Sequence, residues 1–272
     1  MKVQVVAATF VVTAISVAAA TAHAQGAAIS VPQTPPHSYA GASFGSPIAF
    51  GADWGAVGVG VFGQTLPDEF NGQQVSDDED FDGSAALVVG LGDADRYAGL
   101  EVAAVTTSLT GSGDLSGQND SDEFGESGGL SFKLHTNLPG GAAISAGVIG
   151  TSRWGEAEDQ NESSVFANAS KVFAIEAGAR RLALVTTIGV GDGLFTNSID
   201  DDGVNVFGSA ALYFTRNFSV IVDHSGRFTN VGASVAPFRG QPLVLTLGAV
   251  NVGERFGSDA QFGGTLSYTF SF

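Results

Sequence analysis

The chain of 272 residues contains no cysteine. This absence excludes disulfides and thiolate metal sites, and it removes the lipidated cysteine that tethers a bacterial lipoprotein. Basic residues are also few, because 11 lysines and arginines stand against 28 aspartates and glutamates, for a net charge of −17. A chain this acidic is poorly suited to a phosphate backbone, so we expect no nucleic-acid partner.

Long apolar runs are missing beyond the N-terminus. Residues 1–24 have a positive start, an apolar stretch from Val3 to Ala20 and the small-residue site Ala22-His23-Ala24. This pattern predicts a secretory signal peptide that is cleaved after Ala24. No later apolar run approaches the roughly 18 residues of a spanning helix. If the remaining chain enters a membrane, it does so as strands.

Residues 25–47 contain prolines at positions 32, 35, 36 and 47 among serine, threonine, glutamine and glycine. Such a composition predicts an extended segment without a core. It favours a disordered tail over a segment that folds into a pore.

From residue 53 to residue 272, short segments alternate between apolar and small or polar residues. In Val57–Val61 the valines alternate with glycines, and in Leu130–Leu134 apolar residues alternate with Ser131 and Lys133. Alternation at every second residue places the apolar side chains on one face of a strand. About 12 such segments can be counted, which predicts an all-β domain of antiparallel strands.

The last segment, Phe262–Phe272, has Phe262, Leu266, Tyr268, Phe270 and Phe272 on one face and glycine, serine and threonine on the other. It resembles the closing strand of bacterial outer-membrane β-barrel proteins. That resemblance implies a closed antiparallel transmembrane β-barrel, an outer-membrane location, and recognition of Tyr268, Phe270 and Phe272 by the barrel-assembly machinery. Outer-membrane lipid and lipopolysaccharide would then surround the barrel.

The connections between segments alternate in length, and the longer ones hold most of the acidic residues. Outer-membrane barrels have short periplasmic turns and long extracellular loops. We therefore expect long acidic extracellular loops, a barrel over residues 53–272 and a periplasmic segment over residues 25–52. Fourteen strands remain an alternative if Tyr39–Phe50 contains an extra hairpin.

Four residues are candidates for a pore lining: Glu101, Lys133, His135 and Lys171. The first three alternate with apolar residues that would face lipid. In Val165–Ile175 the apolar residues change parity, which predicts a β-bulge near Ser170. Paired charges in a plugged barrel are the alternative to a conducting pore.

Two acidic runs suggest calcium ligands, with Asp78, Asp80 and Asp82 before Gly83, and Asp200 and Asp202 before Gly203. Alternating carboxylates before a glycine match the first half of a calcium loop, but Val89 stands where the closing glutamate belongs. A solvated acidic loop is the favoured interpretation, and weak calcium binding or a divalent bridge to lipopolysaccharide phosphates is the alternative.

No arrangement of catalytic residues stands out. Asp223, His224 and Ser225 are adjacent, but neighbours on a strand face opposite sides and cannot act together as base and nucleophile. We therefore expect no enzyme. The sequence favours a passive porin-like channel whose acidic mouth attracts cations. The alternative is a non-conducting surface barrel with loops for adhesion, recognition or envelope integrity.

Overall fold

A computed structural model of the protein describes residues 39–70, 73–74, 81–106, 128–155, 163–178, 180–197, 203–238 and 240–272. The predicted signal peptide lies outside the described residues. Within these residues, twelve antiparallel strands form a closed barrel, which confirms the predicted all-β antiparallel barrel and its strand number. The barrel strands are β1 (Ala56–Thr65), β4 (Phe81–Asp93), β5 (Ala98–Thr106), β6 (Gly128–Leu138), β7 (Ala142–Trp154), β8 (Ser164–Ala177), β9 (Arg180–Gly191), β10 (Asn205–Thr215), β11 (Phe218–His224), β12 (Thr229–Val235), β13 (Leu243–Val250) and β14 (Gln261–Ser271).

Closure is made by β1, which pairs with β14 on one side and with β4 on the other. Val59 lies opposite Tyr268 in the last strand and opposite Leu87 in β4. A separate two-stranded ribbon, β2 (Glu69–Phe70) and β3 (Gln73–Gln74), lies between β1 and β4 in the chain. Within the described ranges, no helix is long and apolar enough to cross a membrane.

The alternation of side chains is as the sequence predicts. Apolar residues of alternate positions, such as Val61, Leu87 and Leu266, lie exposed on the outer wall. The intervening side chains, such as Ser131 and Thr265, face the lumen and are buried. Because the side-chain period of a strand is two, this pattern fixes the register of each strand in the barrel.

Strand β8 differs from its prediction. Its pairings with β7 and β9 keep one register through Ser170, so the predicted bulge at that residue is wrong. The pairings do shift between Leu130 and Phe132, and again between Tyr213 and Thr215. With no bulge in β8, Val172 faces inward and packs against the core of the lumen.

The N-terminal segment also differs from its prediction. Residues 40–52 are buried, and they form no strand of the barrel. The interpretation of residues 25–47 as a segment without a core is therefore wrong for residues 40–47, and the extra hairpin of the fourteen-strand alternative does not form there. The segment instead enters the lumen, because its backbone hydrogen bonds to side chains of the barrel wall.

Candidate functional site: the lumen and its plug

Residues 39–53, named here the plug, run into the barrel lumen and back out before β1 begins. The first limb starts beside the β10–β11 turn and follows the wall. Tyr213 donates its hydroxyl to the carbonyl of Ala40 at 2.8 Å, and Ser219 donates to the carbonyl of Gly41 at 2.6 Å. The amide of Gly41 donates to Ser234 Oγ at 2.7 Å. Wall side chains thus satisfy backbone groups that burial would otherwise leave unpaired.

The plug reverses direction at a tip formed by residues 43–46. Ser46 donates its amide to Ser43 Oγ at 3.1 Å, which closes a tight turn. The same amide lies 3.0 Å from Asp223 Oδ2, and Ser43 Oγ lies 2.7 Å from that oxygen. Asn230, on the wall, donates to Asp223 Oδ1 at 3.1 Å. The tip is therefore fastened to a buried carboxylate at the far end of β11.

The second limb descends along β8 and β6. Asn168 donates its side-chain amide to the carbonyl of Pro47 at 2.6 Å, and the amide of Ala49 donates to Ser170 Oγ at 2.8 Å. Lys133 then donates to the carbonyl of Phe50 at 2.8 Å. Each limb is held by polar side chains of a different part of the wall, so the plug spans the lumen.

A buried ion pair holds the end of the second limb. Lys133 Nζ lies 2.5 Å from Glu101 Oε2, and each side chain is about 4% exposed. The other carboxylate oxygen of Glu101 accepts the amide of Ala52 at 2.7 Å. A buried ion pair is tolerated only where hydrogen bonds satisfy its remaining donors and acceptors, and the plug backbone supplies them here.

His135 lies two residues further along β6 on the same face as Lys133. Its Nε2 is 3.1 Å from the carbonyl of Ala52 and 4.0 Å from Asp53 Oδ1. Glycines flank the ring, because a Cβ added to Gly51 or Gly99 would lie 2.5 Å or 2.4 Å from ring atoms. The plug and the β5 backbone thus pack directly against the imidazole.

Asp53 ends the plug outside the strands. Its Oδ1 accepts the amide of Ala94 at 2.9 Å, in the β4–β5 turn. Burial raises the pKa of the Asp53 carboxyl, and the hydrogen bond from Ala94 and the neighbouring His135 act in the opposite direction. The side chain remains 34% exposed, so water reaches it at the turn.

Apolar contacts complete the filling of the lumen. Phe44 of the plug packs edge-on against Phe62 of β1, with ring centroids 6.4 Å apart. The cluster continues through buried residues of both the plug and the wall, which are Ala40, Ala42, Ile48, Ala49, Phe50, Ala143, Val185, Ala211, Tyr213, Ile221, Phe228 and Val250. A hydrophobic core therefore occupies the interior, for which the sequence leaves a conducting pore and a plugged barrel as alternatives.

A second aromatic cluster lies at the end of the lumen opposite the short turns. Phe195, in a 3-10 turn at Gly193–Phe195, stacks on Phe207 at 4.5 Å and contacts Phe166 at 5.8 Å. Arg227 ties this turn to the β11–β12 connection by donating to the carbonyls of Thr196 and Gly193, each at 3.2 Å. Burial lowers the pKa of Arg227 to about 10, so its guanidinium stays charged at neutral pH.

Three of the four predicted pore-lining residues face the lumen. Glu101, Lys133 and His135 do so, and each contacts the plug backbone there. Lys171 does not face the lumen, because it shares the parity of Val165, which is exposed on the outer wall. Its assignment as a lumenal residue is wrong, since that assignment requires the bulge that β8 lacks.

The predicted calcium ligands fall mostly outside the described residues, namely Asp78, Asp80, Asp200 and Asp202. Asp82 is described and is buried at the start of β4, facing inward, where Oδ1 accepts the amide of Gly83. Among the described residues, no group of three or more histidine, aspartate or glutamate residues could hold a metal ion.

The predicted assembly signal lies on the outer wall and at the chain end. Phe270 and Phe272 are exposed, and the rings of Tyr268 and Phe270 lie 4.7 Å apart. The amide of Phe272 donates to the carbonyl of Gly55 at 2.9 Å, and its ring meets Trp54 edge-on at 6.2 Å. The last residue is thus joined to the point where the chain leaves the plug.

Sequence patterns did not identify Asp223 as a lumenal anchor, nor its partners Ser43 and Ser46. From the sequence, Asp223 is notable only as a neighbour of His224. In the structure His224 faces the other side of β11, and its Nδ1 lies 3.1 Å from Thr229 Oγ1. One available signal was the stretch from Tyr39 to Ala52, which has no charged residue and is too apolar for a solvated tail.

A scan against protein-family models found no match for this chain, and a search of curated proteins found none either. The fold and the lumen therefore carry the functional argument. They define a closed twelve-stranded barrel whose interior is occupied by the chain's own N-terminal segment.

Proposed function

We propose that the protein is an outer-membrane β-barrel that forms a passage for small solutes, closed at rest by its plug. The outer wall supports this location, since it presents exposed apolar side chains such as Val59, Leu134 and Ile188. In hydrocarbon every backbone amide and carbonyl must be paired, and a closed sheet meets that requirement without an edge. Lipid and lipopolysaccharide would contact this wall, and the acidic long connections would face outside the cell.

The polar wall behind the plug is the observation that supports a passage for solutes. Ser170, Ser219, Ser234 and Asn168 face the lumen and bind the plug backbone. Water can replace each of these hydrogen bonds at a small net cost, because a typical hydrogen bond contributes about 0.5–1.5 kcal/mol net. A wall of this kind is suited to both states, one filled by the plug and one filled by water.

The second candidate function is a non-conducting surface barrel, with loops that act in adhesion, recognition or envelope integrity. The apolar contact of Phe44 with Phe62, within the core of the lumen, favours this candidate. Moving those rings into water would cost roughly 1.5–3 kcal/mol for each buried side chain. A plug held this way resists release, so the two candidates differ in whether it ever leaves.

Planar-bilayer recording separates the candidates. The full chain is compared with a variant that lacks residues 39–52, and both are first checked for folding by the mobility difference between unheated and boiled protein on a detergent gel. We expect rare openings from the full chain and frequent discrete steps from the variant. Silence of both folded proteins would instead support the non-conducting barrel.

The membrane location has its own test. Protein that stayed soluble without detergent, and ran identically before and after boiling, would contradict an outer-membrane barrel. Should the deletion variant fail to fold, the full-length Gly51→Ala variant serves as a second way to weaken the plug, because its Cβ would meet the His135 ring.

A further inference from the structure

We propose that Asp223 is a binding site for a small cation such as K⁺, which the tip of the plug occupies at rest. The inference rests on the proposed function, since the cation takes the place of the tip when the plug leaves the lumen. It concerns a residue on the wall rather than the plug itself, so it can be tested separately.

Asp223 is a buried carboxylate with no basic partner in the part of the chain that the structure describes. Asp223 is 1% exposed, and among the described residues no lysine, arginine or histidine side chain forms an ion pair with it. Burying an unpaired charge is costly, and proteins normally offset that cost with an ion pair, a metal or several hydrogen bonds. Here hydrogen bonds alone fill that role.

The plug supplies most of those hydrogen bonds. Ser43 Oγ and the amide of Ser46 both approach Oδ2. Amide and hydroxyl dipoles that converge on a carboxylate present partial positive charge to it. The tip therefore occupies the place of a cation, and only Asn230 among these partners belongs to the wall.

Glu101 differs from Asp223 in what remains when the plug leaves. It keeps its partner, because Lys133 lies on the neighbouring wall strand at 2.5 Å. Asp223 would lose two of its hydrogen-bonding groups, Ser43 and Ser46, and retain one neutral donor, Asn230. Release of the plug thus leaves an uncompensated negative charge in the lumen, and such a charge attracts cations.

The test uses the full chain with one reporter. The protein has no cysteine, so Ala42→Cys in the buried first limb supplies a single thiol that a maleimide reaches only when the plug leaves. Labelling is measured in KCl and in N-methylglucamine chloride at equal ionic strength. We expect labelling to be faster in K⁺ by about fivefold or more, the lower end of usual coupling between two ligands.

Asp223→Asn, added to the reporter, is expected to speed labelling in both salts and to abolish the difference between them. Asp259→Asn is the matched control, because it removes the same charge from an exposed position and should keep the K⁺ dependence. Equal labelling in the two salts, or no labelling in either, would overturn the proposal, as would a K⁺ dependence that survives in Asp223→Asn.

Reversal potentials in a KCl gradient distinguish this inference from the proposed function. The variant that lacks residues 39–52 should prefer K⁺ over Cl⁻, and adding Asp223→Asn should reduce that preference. Steps with an unchanged reversal potential would refute the cation site and leave the passage standing. Silence of that variant, alongside K⁺-dependent labelling, would refute the passage and leave the site standing.

Discussion

Lys133 and Glu101 lie directly opposite each other on β6 and β5, and their charged groups meet at 2.5 Å inside the lumen. Both also bind the plug, since Lys133 donates to the carbonyl of Phe50 and Glu101 accepts the amide of Ala52. The pair therefore joins two wall strands to the second limb of the plug. Loss of either charge affects the barrel and the plug together.

Replacing Lys133 with methionine should destabilise the protein strongly. Glu101 would remain buried without its counter-ion, and breaking a buried pair in this way costs about 3–5 kcal/mol. The measurement is urea unfolding of the detergent-folded barrel. Lys171→Met, on the outer wall, is the control and should change the unfolding midpoint little. A Lys133→Met protein as stable as the parent would contradict the structural role of the pair.

The sequence predicts this pair because strand alternation places residues on faces without any tertiary information. Glu101 and Lys133 each interrupt an apolar pattern at an inward position, so their meeting in the lumen follows from parity and strand order. The plug could not be predicted in the same way. Its backbone bonds to wall side chains from six different strands, and a chain segment with no period of its own carries no signal for such contacts.

For Lys171 the sequence pattern led to a wrong prediction. The parity change in β8 is typical of a bulge, but the strand continues in register and Val172 turns inward beside the core. An apolar residue at an inward position is favourable where it has apolar neighbours. The cluster of plug and wall residues supplies them, and the pattern of β8 alone contains no sign of the plug.

Gly51→Ala should loosen the plug. The new Cβ would lie 2.5 Å from His135 ring atoms, closer than real contacts allow, and Gly99 also lies close to that ring. The maleimide reaction of the Ala42→Cys reporter should therefore speed up. Gly60→Ala is the matched control, because its Cβ would meet Ser267 at an ordinary 3.5 Å. Equal labelling of both variants would show that the His135 contact does not hold the plug.

Asp53→Asn should remove one component of the pH dependence of stability. Because burial raises the pKa of Asp53 above 3.8, the folded protein binds this proton more tightly than the unfolded chain does. The free energy of unfolding then falls as pH rises from 3.8 through the folded-state pKa, and stays level above it. Asparagine keeps an oxygen for the amide of Ala94 but does not titrate.

The comparison is made by urea unfolding of parent and variant at a series of pH values. We expect the free energy of unfolding of the variant to rise relative to that of the parent as the pH increases across that window. The effect should be modest, because the carboxyl is one-third exposed and solvent screens it. A parent that gained stability relative to the variant over the same range would contradict the direction of the shift.

Deleting Phe272 should slow assembly more than it weakens the assembled barrel. The residue contributes one backbone hydrogen bond to Gly55 and one ring contact to Trp54, just beyond the end of β14. Those contacts are few, whereas in the proposed outer-membrane barrel the assembly machinery would recognise this exposed aromatic residue. The yield of heat-modifiable barrel in cells should drop, while the unfolding midpoint of purified barrel changes little. An equal loss of barrel yield and of the unfolding midpoint would contradict a specific role of Phe272 in assembly.

Arginine at two adjacent positions of β14 should affect different properties of the protein. Leu266 is 43% exposed on the outer wall, whereas Ser267 faces the lumen and is 7% exposed. If the outer wall faces lipid as proposed, Leu266→Arg should cost about 2–4 kcal/mol near the bilayer midplane, measured as a shift in urea unfolding from lipid vesicles. Ser267→Arg should crowd the lumen opposite Gly60 and speed the labelling of the Ala42→Cys reporter, with a smaller dependence on lipid.

In detergent the cost of Leu266→Arg should shrink, because water reaches the charge. A cost that persisted equally without lipid, or equal effects of both substitutions, would contradict the assignment of faces on which the membrane location depends.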